Sequence, residues 1–325
     1  MVLPGKNTHI FYVHSPVTWS LAQAVIARLD RADVRVIGAR GMIGPGVDLA
    51  VTDDGGVSID ETCSYLQQLL GVCQPGRGLV LYLPHSVFLA GQLLRFSARV
   101  QQIFYLEEGQ TSTCPARLAH IPPLLADAVP LLHALHQHGL LDALQLDPAD
   151  VLRLPVTPGV GFDWQHPGYG GCFACSADAF AGLPSVTLLD LPRHPQLQAA
   201  QLVSFASILN GLVPAGAAWQ DQVSARCARL LSMAEALDRQ RDMAHALLFR
   251  LHPRDAHGLP RWFYDAWQRY ARTYPCWCEL HGLDVLAEPA LHNFAHYHVI
   301  GPSAQSKYVS AWWGAARLTQ APAVL

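Results

Sequence analysis

The chain has 325 residues, of which 51% are hydrophobic and 14% charged, with 22 Lys and Arg against 25 Asp and Glu and a formal net charge of −3. Soluble proteins average about 25% charged residues, so this surface is poor in charge. The near-balance of signs excludes non-specific nucleic-acid binding through a basic surface and excludes charge-driven disorder. At roughly 150 residues per domain the length predicts two domains, each able to bury a core without disulfide or metal staples. No apolar run approaches the roughly 18 residues of a spanning helix; the most apolar region, Ile121–Leu135, is broken by Pro122, Pro123, Asp127 and Pro130. The N-terminal stretch does not read as a secretion signal, so a cytoplasmic location is expected, and the eight cysteines are expected as reduced thiols. Low surface charge leaves room for peripheral contact with a membrane face or a protein complex.

In chain order, Thr8–Val13 predicts a buried strand, Val17–Leu29 a helix, Val34–Gly38 a second strand and Val47–Thr52 a third. Ser58 and Glu61 form a capping-box pattern ahead of a helix through Leu70. Gly78–Leu83 is a strand, Val87–Phe96 a helix, and Gln102–Leu106 a strand that stops at Glu107-Glu108-Gly109. Ala116–Leu146 is helical but broken by prolines, and the Pro/Gly-rich Leu154–Tyr169 predicts a linker or an active-site loop. The alternation restarts with a strand at Val186–Leu191, helices at Gln196–Leu209 and Gln220–Arg241, and a strand at Ala246–Leu251. A helix at Pro260–Tyr274, a short strand at Cys276–Leu280, a short strand and helix within Val285–Phe294, a strand at His298–Gly301 and a helix at Ser303–Trp313 complete it. Apolar strands alternating with amphipathic helices predict parallel sheets covered on both faces. The expected architecture is α/β, two facing Rossmann-like domains with a cleft between them, covering residues 1–155 and 156–325. Ligands in such sheets sit beyond the carboxyl ends of the strands, so residues there are the functional candidates.

Three strand ends carry reactive side chains. Glu107 and Glu108 are adjacent carboxylates whose mutual repulsion and desolvation would favour a base, and Gly109 permits a sharp turn; a solvated turn is the competing reading. His252-Pro253 follows a strand, with the proline stiffening the loop, the imidazole able to move a proton near neutral pH and Arg254 able to pair with a phosphate; a surface histidine is the alternative. Gly301-Pro302-Ser303-Ala304-Gln305-Ser306 joins a strand to a helix, where hydroxyls and free backbone N–H groups suit a phosphate, or where Ser303 is an ordinary N-cap.

In that order, YLEEG (105–109), LHP (251–253) and IGPSAQS (300–306) resemble the acidic-acidic-Gly, His-Pro and Ser/Thr motifs of the bacterial sialyltransferases and polysialyltransferases of GT-B architecture. The stretch VLAEPALHNFAHYHVIGPS also resembles that family's run into its serine motif. The resemblance implies an inverting, metal-independent transfer of sialic acid or a related sugar acid from a CMP-activated donor to a glycan hydroxyl, with no cofactor. It implies Glu108 as general base, with Glu107 the second choice, and His252 assisting CMP departure. Ser303 and Ser306 would bind the donor phosphate beside Pro253 and Arg254, and Glu288 the ribose hydroxyls. The implied partners are the CMP-sugar donor, the glycan acceptor and, peripherally, the inner membrane face or a glycan-assembly complex. Where the family often carries adjacent hydroxyl residues, Ser303 is followed by Ala304. Two other readings remain open: a catalytically silent relative that binds a nucleotide or glycan, and a transferase using CMP-Kdo or another nonulosonic acid.

Other clusters carry less. Cys172-Phe173-Ala174-Cys175 with Cys276 and Cys278, near His292, His296 and His298, does not have standard zinc spacing, and no metal is expected. Gly159–Gly161 and Gly168–Gly171 match no phosphate-loop fingerprint and predict a flexible loop. His14-Ser15-Pro16 and Pro84-His85-Ser86 end strands of the first half, as turn and cap residues or as acceptor-side lining.

Overall fold

The computed structural model describes residues 7–29, 33–39, 42–51, 58–109, 112, 123–155, 161–193, 198, 200–209, 212, 216–240, 244–252, 255, 259–273, 289–301, 303 and 305–321. The chain separates into two units, Met1–Leu191 and Pro192–Leu325.

In the first unit, β1 (Asn7–Val13) leads into α1 (Pro16–Ile26), followed by β2 (Asp33–Gly38), β3 (Leu49–Ala50) and α2 (Ile59–Val72). Next come β4 (Gly78–Leu83), α3 (Leu89–Phe96), β5 (Val100–Leu106) and the helices α4 (Val129–Gln137), α5 (Leu140–Leu144) and α6 (Pro148–Arg153). Two further strands, β6 (Tyr169–Ala174) and β7 (Val186–Leu188), complete the unit. Among the described residues, these strands form one seven-stranded sheet in the order β3-β2-β1-β4-β5-β6-β7, with every pairing parallel. The central strands are buried almost continuously because helices cover the sheet: Leu79 through Leu83 are all buried. Ile10, Tyr12, Leu81, Leu93, Ile103, Leu131 and Leu135 belong to one core cluster with Leu66 of α2. Helix starts follow local chemistry. Ser15 and Ser58 cap α1 and α2 through capping boxes, and Pro16 takes the first turn, where its missing N–H costs nothing.

Of residues 168–171, expected as a flexible glycine loop, Tyr169, Gly170 and Gly171 instead open β6. Gly171 sits at φ +120°, and a Cβ there would lie 2.6 Å from the Ser185 carbonyl oxygen. The glycine therefore permits the close approach that admits β7, and composition alone does not distinguish that use from flexibility. Because β6 pairs with β5 and β7 with β6, the first unit continues past residue 155 to Leu191.

The second unit contains β8 (Ala200–Phe205), α7 (Gly216–Gln240), β9 (Ala246–Arg250), α8 (Arg261–Thr273), β10 (His296–Ile300), α9 (Gln305–Trp313) and β11 (Leu318–Ala321). Its sheet is parallel in the order β11-β10-β8-β9. Val203, Phe205, Val223, Cys227, Leu230, Phe249, Phe263 and Trp267 belong to one core cluster in it. The expected helix at Gln196–Leu209 is replaced over its middle by β8. Its apolar run, AQLVSF, is buried on both faces between β9 and β10, a setting in which a buried strand and a buried helix share one sequence pattern. The expected strand at Cys276–Leu280 lies outside the described residues; of Val285–Phe294, the described part holds a 3-10 turn at Pro289–Leu291. Among the described residues, no helix is long and apolar enough to cross a membrane.

Candidate active site

The strand order of the first unit reverses direction between β1 and β4. In parallel sheets a crevice opens at such a switch point, beyond the carboxyl ends of the strands. His14 follows β1 directly, His85 lies two residues past β4 and Glu108 two past β5, and these three strands are neighbours. Their side chains converge. His14 Nε2 lies 2.5 Å from Glu108 Oε2, and His85 Nε2 lies 3.8 Å from the same oxygen. The side chains are 1% (His14), 5% (His85) and 6% (Glu108) exposed. An ionised carboxylate only accepts, so in that state the short contact is a charge-assisted hydrogen bond from His14 Nε2–H.

Each of the three is held by its own strand end. The His14 backbone N–H donates to Thr18 Oγ1 at 3.1 Å, inside the capping box that starts α1. The neighbour of His85, Ser86, donates its N–H to the Gly161 carbonyl at 2.8 Å, shares a 3.1 Å hydroxyl contact with Tyr105 and receives the Gln92 side-chain amide on its carbonyl. Val87 N–H approaches His85 Nδ1 at 3.4 Å. Glu108 N–H donates to Ser112 Oγ at 2.9 Å, and Gly109 turns the chain at φ +105°, a conformation that favours glycine. Phe88, 6.1 Å from the His85 ring and stacked on Tyr12, forms an apolar wall.

Glu107 has a different setting. Successive residues of an extended chain point to opposite faces, and Glu107 is fully buried on the side of β6. Its Oε2 accepts from Cys175 N–H at 2.8 Å and Ser176 N–H at 3.0 Å, with Cys175 Sγ at 3.4 Å, and its Oε1 accepts from Ser176 Oγ. The two expected base candidates thus part company: Glu108 joins the histidines, and Glu107 ties the end of β5 to the loop after β6.

In the second unit the order reverses between β8 and β10. The paired ends Ser204–Arg250 and Phe205–Ile300 bring the exits of β8, β9 and β10 level. His252, half-buried, follows β9 on that edge, and Ser303 follows β10. Ser303 Oγ accepts from Gln305 N–H at 3.2 Å, so it caps α9 while its own hydroxyl hydrogen can still be donated; Ser306 Oγ donates to the Ser303 carbonyl at 2.9 Å. A residue with no prior signal organises this edge. Asp255, fully buried, accepts from Ser207 Oγ at 2.8 Å and Ile208 N–H at 2.9 Å, and donates its own N–H to the His252 carbonyl at 2.8 Å. It sits three residues beyond the histidine, which is the only trace it leaves in the sequence. Pro253, Arg254 and Glu288 lie outside the described residues.

Among the described residues, the other cysteines and histidines form no further group of three metal-ligating side chains. Cys172 is buried on β6, its thiol pushed up to about 12 by that burial, and so stays protonated. Cys276 and Cys278 lie outside the described residues. His296 contacts Thr319 Oγ1 at 2.8 Å and His298 contacts Gln201 Oε1 at 3.3 Å, on the face of the second sheet. Burial, and then the neighbouring His296, pushes the His298 imidazole down to about 4.

The chain matches no protein-family model and no curated protein. Among solved structures it overlaps a sialyltransferase from Photobacterium damsela at 10% identity and a TM-score of 0.41, covering 97% of this chain and 81% of that one. It also overlaps the spinosyn rhamnosyltransferase SpnG, solved with spinosyn aglycone, at 12% identity and a TM-score of 0.37, covering 93% of this chain and 77% of that one. Overlap at this level identifies neither family nor activity.

Proposed function

We propose that the protein is an inverting glycosyltransferase of GT-B type that moves a sugar acid from its CMP-activated donor to a glycan hydroxyl. The observation that carries the reading is the convergence of Glu108 with His14 and His85 at the switch point of a parallel sheet. A carboxylate oriented by an imidazole at the carboxyl edge of such a sheet supports a general base for a substrate hydroxyl. The acceptor O–H gives its proton to Glu108 while its oxygen bonds to the anomeric carbon. The bond from that carbon to the CMP phosphate breaks, its electron pair stays on the phosphate oxygen, and His252 delivers a proton to that oxygen. Ser303, with a hydroxyl hydrogen to donate at the start of α9, and the helix N-terminus stabilise the phosphate. Direct displacement at the anomeric carbon inverts its configuration. His14 acts as a positioning residue by holding the Glu108 carboxylate.

The test is calorimetric titration with CMP beside UMP, with and without EDTA, followed by a donor-hydrolysis and transfer screen. Selective CMP binding that survives EDTA is expected. Glu108→Gln is expected to keep CMP binding and lose about 10²–10⁴ in turnover, the usual worth of a general base. Absence of CMP binding to the wild-type chain overturns the reading. Full turnover in Glu108→Gln removes this residue from the base role.

A further inference from the structure

His14, His85 and Glu108 have a second capacity that proton transfer does not exhaust. One donor atom from each lies within 4.8 Å of the other two. All three side chains are more than nine-tenths buried, and they come from the ends of three adjacent, hydrogen-bonded strands. Two imidazoles and one carboxylate form the ligand set of catalytic zinc centres, which leave a fourth position open to water. The geometry points to a site for one divalent transition-metal ion, zinc fitting best, and we propose that its occupancy silences the Glu108 carboxylate.

The distances suit such an ion with small rotamer changes. Metal–ligand bonds near 2.1 Å in a tetrahedral arrangement put ligand atoms about 3.4 Å apart. The His14–Glu108 contact at 2.5 Å must open and the His85–Glu108 contact at 3.8 Å must close slightly. The proton that bridges the first pair is what the ion displaces. Ligation through His85 Nε2 puts the ring hydrogen on Nδ1, which gives up the 3.4 Å approach of Val87 N–H, a long and weak contact. The nitrogen donors set the selectivity. Magnesium and calcium prefer all-oxygen shells, whereas imidazole suits zinc, cobalt and nickel. With neutral imidazoles the set carries one negative charge, so a divalent ion leaves a net charge of only about +1 to be buried.

Binding stands on the first unit alone. Only the loss of transfer rests on the proposed function, because an ion on Oε2 takes the lone pair that would receive the acceptor proton.

The experiment is a titration of the metal-free full chain with cobalt(II), read by its visible absorption, and then with zinc in competition. One equivalent is expected to give the intense bands of four-coordinate cobalt without thiolate charge-transfer absorption. Zinc should displace it stoichiometrically, and magnesium should not. His14→Gln and His85→Gln, each checked for native circular dichroism, are expected to weaken binding at least about tenfold, whereas Cys172→Ser and Cys175→Ser should leave it unchanged. X-ray absorption of the zinc-loaded wild type should show only nitrogen and oxygen neighbours, a readout that needs no variant to fold. Sulfur ligation, the absence of a one-equivalent site, or binding unaltered in both histidine variants overturns the proposal. If the ion binds and no transfer is found with or without it, the metal site stands and the transferase reading falls. If transfer is found and zinc neither binds nor inhibits, the reverse holds.

Discussion

Replacing Glu107 by alanine separates the two carboxylates of the EEG turn by physics rather than by motif. The side chain is fully buried and accepts from two backbone N–H groups and one hydroxyl across the β5–β6 junction. Each donor left without an acceptor costs about 1–3 kcal/mol if it stays dry. Cys175 is only half-buried, so water can reach one of the three. Removing the carboxylate also relieves its own desolvation, so the net loss for Glu107→Ala is about 3–5 kcal/mol. Glu107→Gln keeps an oxygen for the two backbone donors and an amide that can donate to Ser176 Oγ. It surrenders only the charge assistance, about 1–2 kcal/mol. In a unit of this size that separates the two variants in thermal midpoint by about 5–10 °C. The assay is urea and thermal unfolding of the full chain followed by circular dichroism, alongside transfer activity. The reasoning fails if the alanine variant loses less than about 1 kcal/mol, well below the cost assigned to its stranded donors. It fails equally if Glu107→Gln is as stable as the wild type yet inactive, for Glu107 would then be the base.

Three further outcomes are expected. His252→Ala should abolish transfer while keeping the native circular dichroism; substantial remaining turnover would remove it as the acid. Gly171→Ala forces a φ of +120° on a residue with a side chain and drives its Cβ to 2.6 Å from a backbone oxygen, so it should cost about 3 kcal/mol or more. Gly139→Ala, at φ +66° with nothing near its Cβ position, should cost only about 1 kcal/mol; equal losses in urea titrations of the two would contradict the close-approach account. His298, neutral in the folded chain down to about pH 4, protonates at its ordinary value near 6.5 once unfolded. The unfolded state therefore binds more protons in that window, and stability contributed by this residue is present above pH 6.5 and lost progressively toward pH 4. Comparing the wild type with His298→Gln between pH 7 and pH 4 should show a steeper decline in the wild type, and parallel curves would refute the assignment.

Much of the first sheet was legible because its strands are apolar runs ended by chemically distinct residues. GLVLYL before Pro84-His85 and QIFYL before Glu107-Glu108 announce both strand and site edge. The serine caps of α1 and α2 are equally local signals. What stayed hidden depends on long-range contact. The role of Gly171 is set by Ser185, the helical look of 196–209 is overridden by two flanking strands, and Glu107 is distinguished from Glu108 only by donors on Cys175 and Ser176. The joining of His14 to Glu108 spans β1 and β5, and each histidine alone is indistinguishable from a turn residue. Asp255 shows the same limit in the second unit, where its two acceptor contacts reach back to residues 207 and 208.

The late arrival of β6 and β7 bears on how the chain is made. β5 lies inside the first sheet, yet its outer edge receives a partner only after the α4–α6 segment and the turn at residues 161–168 have been synthesised. During translation, at about 5–20 residues per second, VQQIFYL therefore waits for several seconds as an apolar strand with unpaired backbone groups, carrying a carboxylate whose native donors do not yet exist. Such an edge can recruit another nascent chain.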